Sequence, residues 1–233
     1  MTMTHKVVGS IWAALVFLMM AGAASAQPAG QLYDPEPPAD SAYVRVVVSS
    51  GSGPVDVVVD GRPRATKLGI GDASDYMVLS AGKHTIAVHP AGKPAAAVSH
   101  AMEVPSGKSL TLAFPALKAG TAPVQFEDKG NTNKLKAVLA VYHLGTGPVD
   151  VMTADGSTKV FTALAPGVPA SIQVNPITVE LVAARAGEKA ELARTKLTMA
   201  QGGTYSVFLL PGDGGKLSAR AVQSRTERYT GKP

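Results

Sequence analysis

The pentapeptide Gly-Pro-Val-Asp-Val stands twice in this chain, at 53–57 and at 147–151, and no other feature constrains the fold as strongly. The likeness continues on both sides of each copy. Tyr43-Val44-Arg45-Val46-Val47-Val48 precedes the first and Val138-Leu139-Ala140-Val141-Tyr142 the second, while Asp60-Gly61 and Asp155-Gly156 follow as turn signals. Further on, His84-Thr85-Ile86-Ala87-Val88 corresponds to Ile177-Thr178-Val179-Glu180-Leu181, and Gly107 to Leu112 corresponds to Gly202 to Val207. Matched segments in one order describe a duplicated module.

Each module is a string of short runs rich in Val, Thr, Ile and Leu, punctuated by Gly, Pro, Asp and Ser about every 8 to 12 residues. In Ser109-Leu110-Thr111-Leu112-Ala113-Phe114 every second side chain is apolar, as a strand with one buried face requires. The expected fold is all-β: two tandem antiparallel β-sandwich domains of immunoglobulin-like shape. Glu188 to Ala200 places Ala190, Ala193, Leu197 and Ala200 at near-helical spacing, but its counterpart near Ala95 to Val104 leads into a strand-like run, so a strand is expected there too. In the repeated motif, Pro54 and Pro148 can open an edge strand, with Asp56 and Asp150 facing solvent.

The first 26 residues have a different character. His5 and Lys6 give a basic start, Val7 to Ala23 is almost wholly apolar, and Ala24-Ser25-Ala26 has the small-x-small pattern of a signal-peptidase site. A signal peptide over 1–26, cleaved after Ala26, is expected. A Pro-rich extended leader then covers 27–41, the first sandwich 42–117, a linker 118–133, the second sandwich 134–223, and a basic C-terminal tail 224–233. No other segment is apolar enough to span a bilayer. An exported chain with no cysteine must be held by burial and hydrogen bonds alone.

Catalytic signatures are missing. There is no G-x-S-x-G elbow and no cysteine nucleophile, and in Gly71-Asp72-Ala73-Ser74 the serine is displaced by one residue. His84 and His89, five apart on one strand, point to opposite faces and cannot share a metal; His100 and His143 are isolated. Neither a cofactor nor a metal is expected. Nucleic acid is not an expected partner, because the chain lacks a binding motif and interleaved aromatics.

Charge is uneven. Residues 27–122 hold eight basic and eight acidic side chains and residues 123–233 hold thirteen and nine, a surplus of four in the second half. Lys216, Arg220, Arg225, Arg228 and Lys232 gather it near the end, where they could meet an anionic polymer, an acidic protein face or lipid headgroups, or simply be solvated. Tyr33, Tyr76, Phe126 and Tyr229 are the aromatics expected at the surface. Candidate contacts with a partner or polymer are therefore Tyr33, Phe126, Lys129, Lys134, Lys136, Lys216, Arg220, Arg225 and Arg228.

Leu32-Tyr33 followed by Pro35 and Pro38, Val44-Arg45-Val46, Thr153-Ala154-Asp155-Gly156, and Val174-Asn175-Pro176 before a strand together resemble the periplasmic alginate O-acetylation family AlgF. The likeness runs from about 32 to 222 and lies in the order and spacing of the segments. It implies a periplasmic protein of a Gram-negative bacterium that works beside membrane-bound and periplasmic acetyltransferases during exopolysaccharide and biofilm production. The function it implies is that of a non-catalytic adaptor holding those enzymes at the polymer. A polyanionic polysaccharide-binding module, and an acetyl carrier or acetyltransferase with a dispersed active site, are the alternatives.

Overall fold

The computed structural model describes residues 36–231. The expected signal peptide, most of the leader, and Tyr33 lie outside them. In the first module the strands are β1 (Ala42–Val48), β2 (Val55–Val59), β3 (Arg62–Leu68), β4 (Met77–Leu79), β5 (Gly82–Pro90), β6 (Val98–Val104), β7 (Ser109–Phe114) and β8 (Val124–Glu127). In the second they are β9 (Ala137–His143), β10 (Val149–Thr153), β11 (Lys159–Leu164), β12 (Pro169–Val174), β13 (Ile177–Arg185), β14 (Glu191–Met199), β15 (Thr204–Pro211) and β16 (Leu217–Gln223). Among the described residues no helix is long and apolar enough to cross a membrane.

The two modules have the same topology. Sheet order β4-β1-β7-β8 with β3-β2-β5-β6 in the first is matched by β12-β9-β15-β16 with β11-β10-β13-β14 in the second. Each pair of sheets closes on its own apolar core. Val44, Val46, Leu110, Leu112 and Phe114 meet Val57, Ile86, Val88 and Met102 in the first module. Leu139, Val141, Val207 and Leu209 meet Val151, Leu181, Leu197 and Met199 in the second. Glu191–Met199 is a strand, paired with β13, despite its helix-like apolar spacing. The expectation of purely antiparallel sheets needs one correction: β1 runs parallel to β7, and β9 parallel to β15. Residues 118–133 contain β8, which is hydrogen-bonded to β7.

The repeated aspartates correct a second expectation, because neither points freely to solvent. Asp56 accepts hydrogen bonds from the backbone N–H of Lys67 and of Gly92, both at 2.8 Å. Asp150, with its side chain 2% exposed, accepts from the N–H of Ala163 at 2.8 Å and of Gly187 at 3.3 Å, and pairs with the Lys159 ammonium at 2.7 Å. Lys67 and Ala163 are non-glycine residues at φ 53° and 49°, a left-handed conformation that costs about 1–2 kcal/mol. Each aspartate thus pins a strained bulge in one neighbouring strand to the turn leaving the other. This geometry accounts for the duplicated motif: Pro-Val-Asp-Val starts the central strand and puts the carboxylate where both donors converge.

The Lys159 ammonium, and after it the Ala163 N–H, hold the Asp150 carboxyl below the usual carboxylate range in spite of burial. A depressed folded-state value stabilises the fold above the ordinary carboxylate pKa, and that contribution fades as pH falls through the depressed value. We therefore expect Asp150→Ala to lower the unfolding free energy at neutral pH by about 1–3 kcal/mol, since two backbone donors lose their acceptor. The gap to wild type should narrow in acid. Denaturant titrations of both proteins at neutral and acidic pH would check this, and a gap independent of pH would contradict it.

Candidate functional site

The sheets containing β1 and β9 are covered on both faces, and this determines where the site forms. The first face of each lies on its own core. From the second, Val47, Ala113 and Phe126 of the first module meet Ala140, Tyr142, Phe208 and Leu210 of the second in a third apolar cluster. Tyr142 stacks on Phe208, with centroids 4.8 Å apart, and meets Phe126 edge-on at 5.2 Å. Ring pairs of these geometries add about 0.5–1.5 kcal/mol beyond area burial.

At the edge of this cluster lies Arg45, 1% exposed. Strand alternation sends Val44 and Val46 into the first core and Arg45 and Val47 into the contact between modules. Its Nε donates to Thr111 Oγ1 at 2.8 Å, one Nη to Ser224 Oγ at 2.8 Å, and the other to Tyr142 Oη at 2.9 Å and Ser206 Oγ at 3.0 Å. The guanidinium carbon also lies over the ring of Tyr76, 4.6 Å from its centroid. Thr111 and Tyr142 in turn donate hydrogen bonds from their hydroxyls to Asp128, at 2.6 Å each, and Tyr76 donates to the same carboxylate at 2.7 Å. A buried cation and a half-buried anion are thereby joined through hydroxyls that accept from one and donate to the other. Burial raises both tyrosine hydroxyls well above the ordinary phenol pKa, against the opposing pull of Arg45, so both remain protonated donors.

The C-terminal segment closes the junction from outside. Tyr76 N–H donates to the Arg225 carbonyl at 2.8 Å, and Glu227 N–H returns a bond to the Tyr76 carbonyl at 2.9 Å. The Glu227 carboxylate then takes the Val78 N–H at 2.8 Å and pairs with Arg64. Residues 225–227, from the second module, thus strap the β4 edge of the first. Beside the strap is a cavity of about 250 Å³ whose lining includes Tyr43, Tyr76, Asp128, Lys129, Ser224 and Arg225.

One constellation escaped sequence reasoning. Asp60 Oδ2 lies 2.6 Å from His84 Nδ1, and His84 Nε2 lies 3.5 Å from Ser80 Oγ. These are the residue types of a serine-nucleophile triad, and there was little sign of it in the sequence: Asp60 sits in the turn between β2 and β3, 24 residues before His84. The geometry argues against that chemistry. Nε2 is only 2.9 Å from the Ser80 carbonyl oxygen, which only accepts, so the ring donates there and cannot take a proton from the serine. His143 is similarly occupied: its Nε2 donates to the Gly147 carbonyl at 2.7 Å, and Nδ1 accepts weakly from Gly145 N–H. Burial lowers its pKa, so it is held neutral.

The predicted contact residues are scattered. Phe126, expected at the surface, is instead 1% exposed, because β8 turns it into the cluster between modules; Tyr76 is likewise half-buried over Arg45. Lys129 and Arg225 come together at the cavity. Lys134, Lys216 and Arg220 are exposed on the second module, Lys136 is half-buried at the start of β9, and Arg228 is exposed on the strap. Among the described residues no three or more metal-ligating side chains converge.

A sequence profile for the family described as "Alginate O-acetyl transferase AlgF" matches residues 15–206. The chain belongs to the AlgF family. "Alginate biosynthesis protein AlgF" of Pseudomonas aeruginosa is 28% identical over 220 residues, covering 93% of this chain and 94% of that one. Its namesake in Pseudomonas putida is 27% identical over 187 residues, 80% of each chain. A solved C-terminal domain of AlgF from P. aeruginosa aligns with 39% of this chain and 99% of its own, at 30% identity and TM-score 0.33.

Removing the Arg45 side chain would leave its buried hydroxyl partners without their donor and Asp128 without a nearby cation. We expect Arg45→Ala to cost about 3–5 kcal/mol in unfolding free energy. Arg45→Lys should recover only a minority of it, because one ammonium on a flexible stem cannot reach acceptors spread as a planar fork demands. Denaturant midpoints of the three proteins decide the matter; full rescue by lysine would show that charge alone is what the site needs.

Proposed function

We propose that this chain is a non-catalytic adaptor for O-acetylation of alginate, acting in the periplasm and holding membrane-bound and periplasmic acetyltransferases at the polymer. Family membership and the names of the Pseudomonas relatives support the link to alginate and its acetylation. The observation that carries the non-catalytic part is that the hydroxyls gathered at the junction and the rings of His84 and His143 are already engaged. Ser206, Ser224, Thr111 and Tyr142 are engaged by Arg45 and Asp128, His84 by Asp60 and a carbonyl, and His143 by its own loop. A scaffold of two sandwiches packed through a shared apolar layer suits the task of keeping two partners at a set separation.

The competing view, an acetyltransferase with a dispersed active site, has one concrete candidate nucleophile, Ser80. In a strain lacking the gene, alginate should lose its acetyl groups, and both the native gene and a Ser80→Ala copy should restore them in full. Normally acetylated alginate from the deletion strain would end the assignment to acetylation. A stably folded Ser80→Ala protein that restores none would instead make this chain an enzyme.

A further inference from the structure

Each of the four sheets ends in two edge strands, and a bare edge is a template on which another chain can pair. Charge is a common protection. Among the described edges, β3, β6, β8, β11, β14 and β16 all carry it, at Arg64, Glu103, Glu127, Lys159, Arg194 and Arg220 respectively. Only β4 and β12 have none. These two occupy the same place in the two modules, β4 beside β1 and β12 beside β9. The strap covers β4, through the bonds that Tyr76 and Val78 make with Arg225 and Glu227. Among the described residues no strand pairs with the corresponding outer edge of β12.

The register shows which groups of β12 are free. Val138 and Leu144 donate their N–H to the Gly203 and Leu209 carbonyls, so even-numbered residues of β9 turn their backbone groups to β15 and odd-numbered ones to β12. Opposite Val141 and Leu139 stand Ala170 and Ile172, whose backbone groups are therefore used on β9. Ser171 and Gln173 turn theirs outward, as does Pro169, whose missing N–H costs nothing at an edge. The surroundings are neutral and apolar. No charged residue stands between Lys159 and Glu180. The large apolar side chains exposed among the described residues, Leu135, Val168, Ile172 and Ile177, all lie in or beside β12 or just before the end of β9 that pairs with it.

We propose that the outer edge of β12 takes an extended, uncharged segment of the periplasmic acetyltransferase as an added strand. The proposal rests on the adaptor reading and gives one of its two kinds of partner an address on the second module. A segment that spans a bilayer has its backbone groups satisfied internally and can donate no such strand, so the edge suits the periplasmic enzyme rather than the membrane-bound one. Main-chain bonds to Ser171 and Gln173 would fix the added strand, and contacts with Val168 and Ile172 would select apolar side chains at alternate positions. The strap that covers β4 comes from another module, not from a second β4, so cover by a different segment is the arrangement this fold already uses.

The test combines amide hydrogen exchange on the full chain with calorimetric titration of the purified periplasmic acetyltransferase. In the free chain the Ser171 and Gln173 amides should exchange readily, and saturation with the enzyme should slow both about tenfold or more. Ser171→Pro removes one outward N–H and no bond to β9, and Ile172→Lys places a charge in the bare edge; each should weaken binding about tenfold or more. Lys189→Gln, in the turn between β13 and β14, should leave it unchanged. Thermal melts establish that the variants remain folded. Protection of both amides in the free chain, or a dimer of the chain that Ile172→Lys dissolves, would overturn the proposal by showing another occupant. Enzyme binding that leaves both amides unprotected and both edge variants unaffected would remove this site and leave the adaptor role standing. Wild-type chain that fails to bind either acetyltransferase would end the adaptor reading and the site with it.

Discussion

Arg45 is the constraint around which this molecule is organised. An arginine 1% exposed is tolerable only if nearly all its N–H groups find acceptors, and here they find four hydroxyls from β7, β9, β15 and the residue after β16. None of these acceptors carries charge. The compensating anion, Asp128, stands one hydroxyl further out, where it is half-buried and linked to the same Thr111 and Tyr142. Such an arrangement avoids fully desolvating two ions side by side, yet keeps every polar atom satisfied; among the described residues no buried side-chain nitrogen or oxygen lacks a partner. Because three of the four acceptors belong to the second module, the guanidinium is satisfied only when the two modules are in contact.

The duplication explains what is common to the halves, and the contact explains where they diverged. Asp56 and Asp150 do the same mechanical job at equivalent bulges, differing in that the second is buried and has recruited Lys159. The faces that meet are not copies of each other. Where the first module offers Arg45 and Thr111 on neighbouring β1 and β7, the second offers Tyr142, Ser206 and Phe208 on the corresponding β9 and β15. One half supplies the donor and the other most of the acceptors, as a contact between diverged copies of one fold permits.

Much of the sandwich architecture was legible because each strand of a two-layer module carries its core residues at a period of two, and turns such as Asp60-Gly61, at φ 50° and 78°, announce themselves in the residues they need. The contact between modules was not. Val46-Val47-Val48 and Ala137 to Tyr142 break alternation because both faces are covered, and an unbroken apolar run does not say what covers the second face. Nothing in the sequence marked Arg45 as buried, since its partners lie 66, 97, 161 and 179 residues away. Phe126 was misplaced for the same reason: four short residues of β8 read as linker until β7 is seen to pair with them. The parallel pairing of β1 with β7 has no local signature at all.

The proposed adaptor role needs a defined geometry between the two modules, and that geometry rests on the Arg45 network, the Tyr142–Phe208 stack and the strap over β4. The measurement that bears most directly on this is a set of backbone residual dipolar couplings for the full chain in a dilute aligning medium. If the account is right, one alignment tensor fits the couplings of residues 42–114 and 137–223 together on the relative orientation described. Two tensors of clearly different magnitude would mean that the modules reorient independently, and the buried arginine could not then be what holds them.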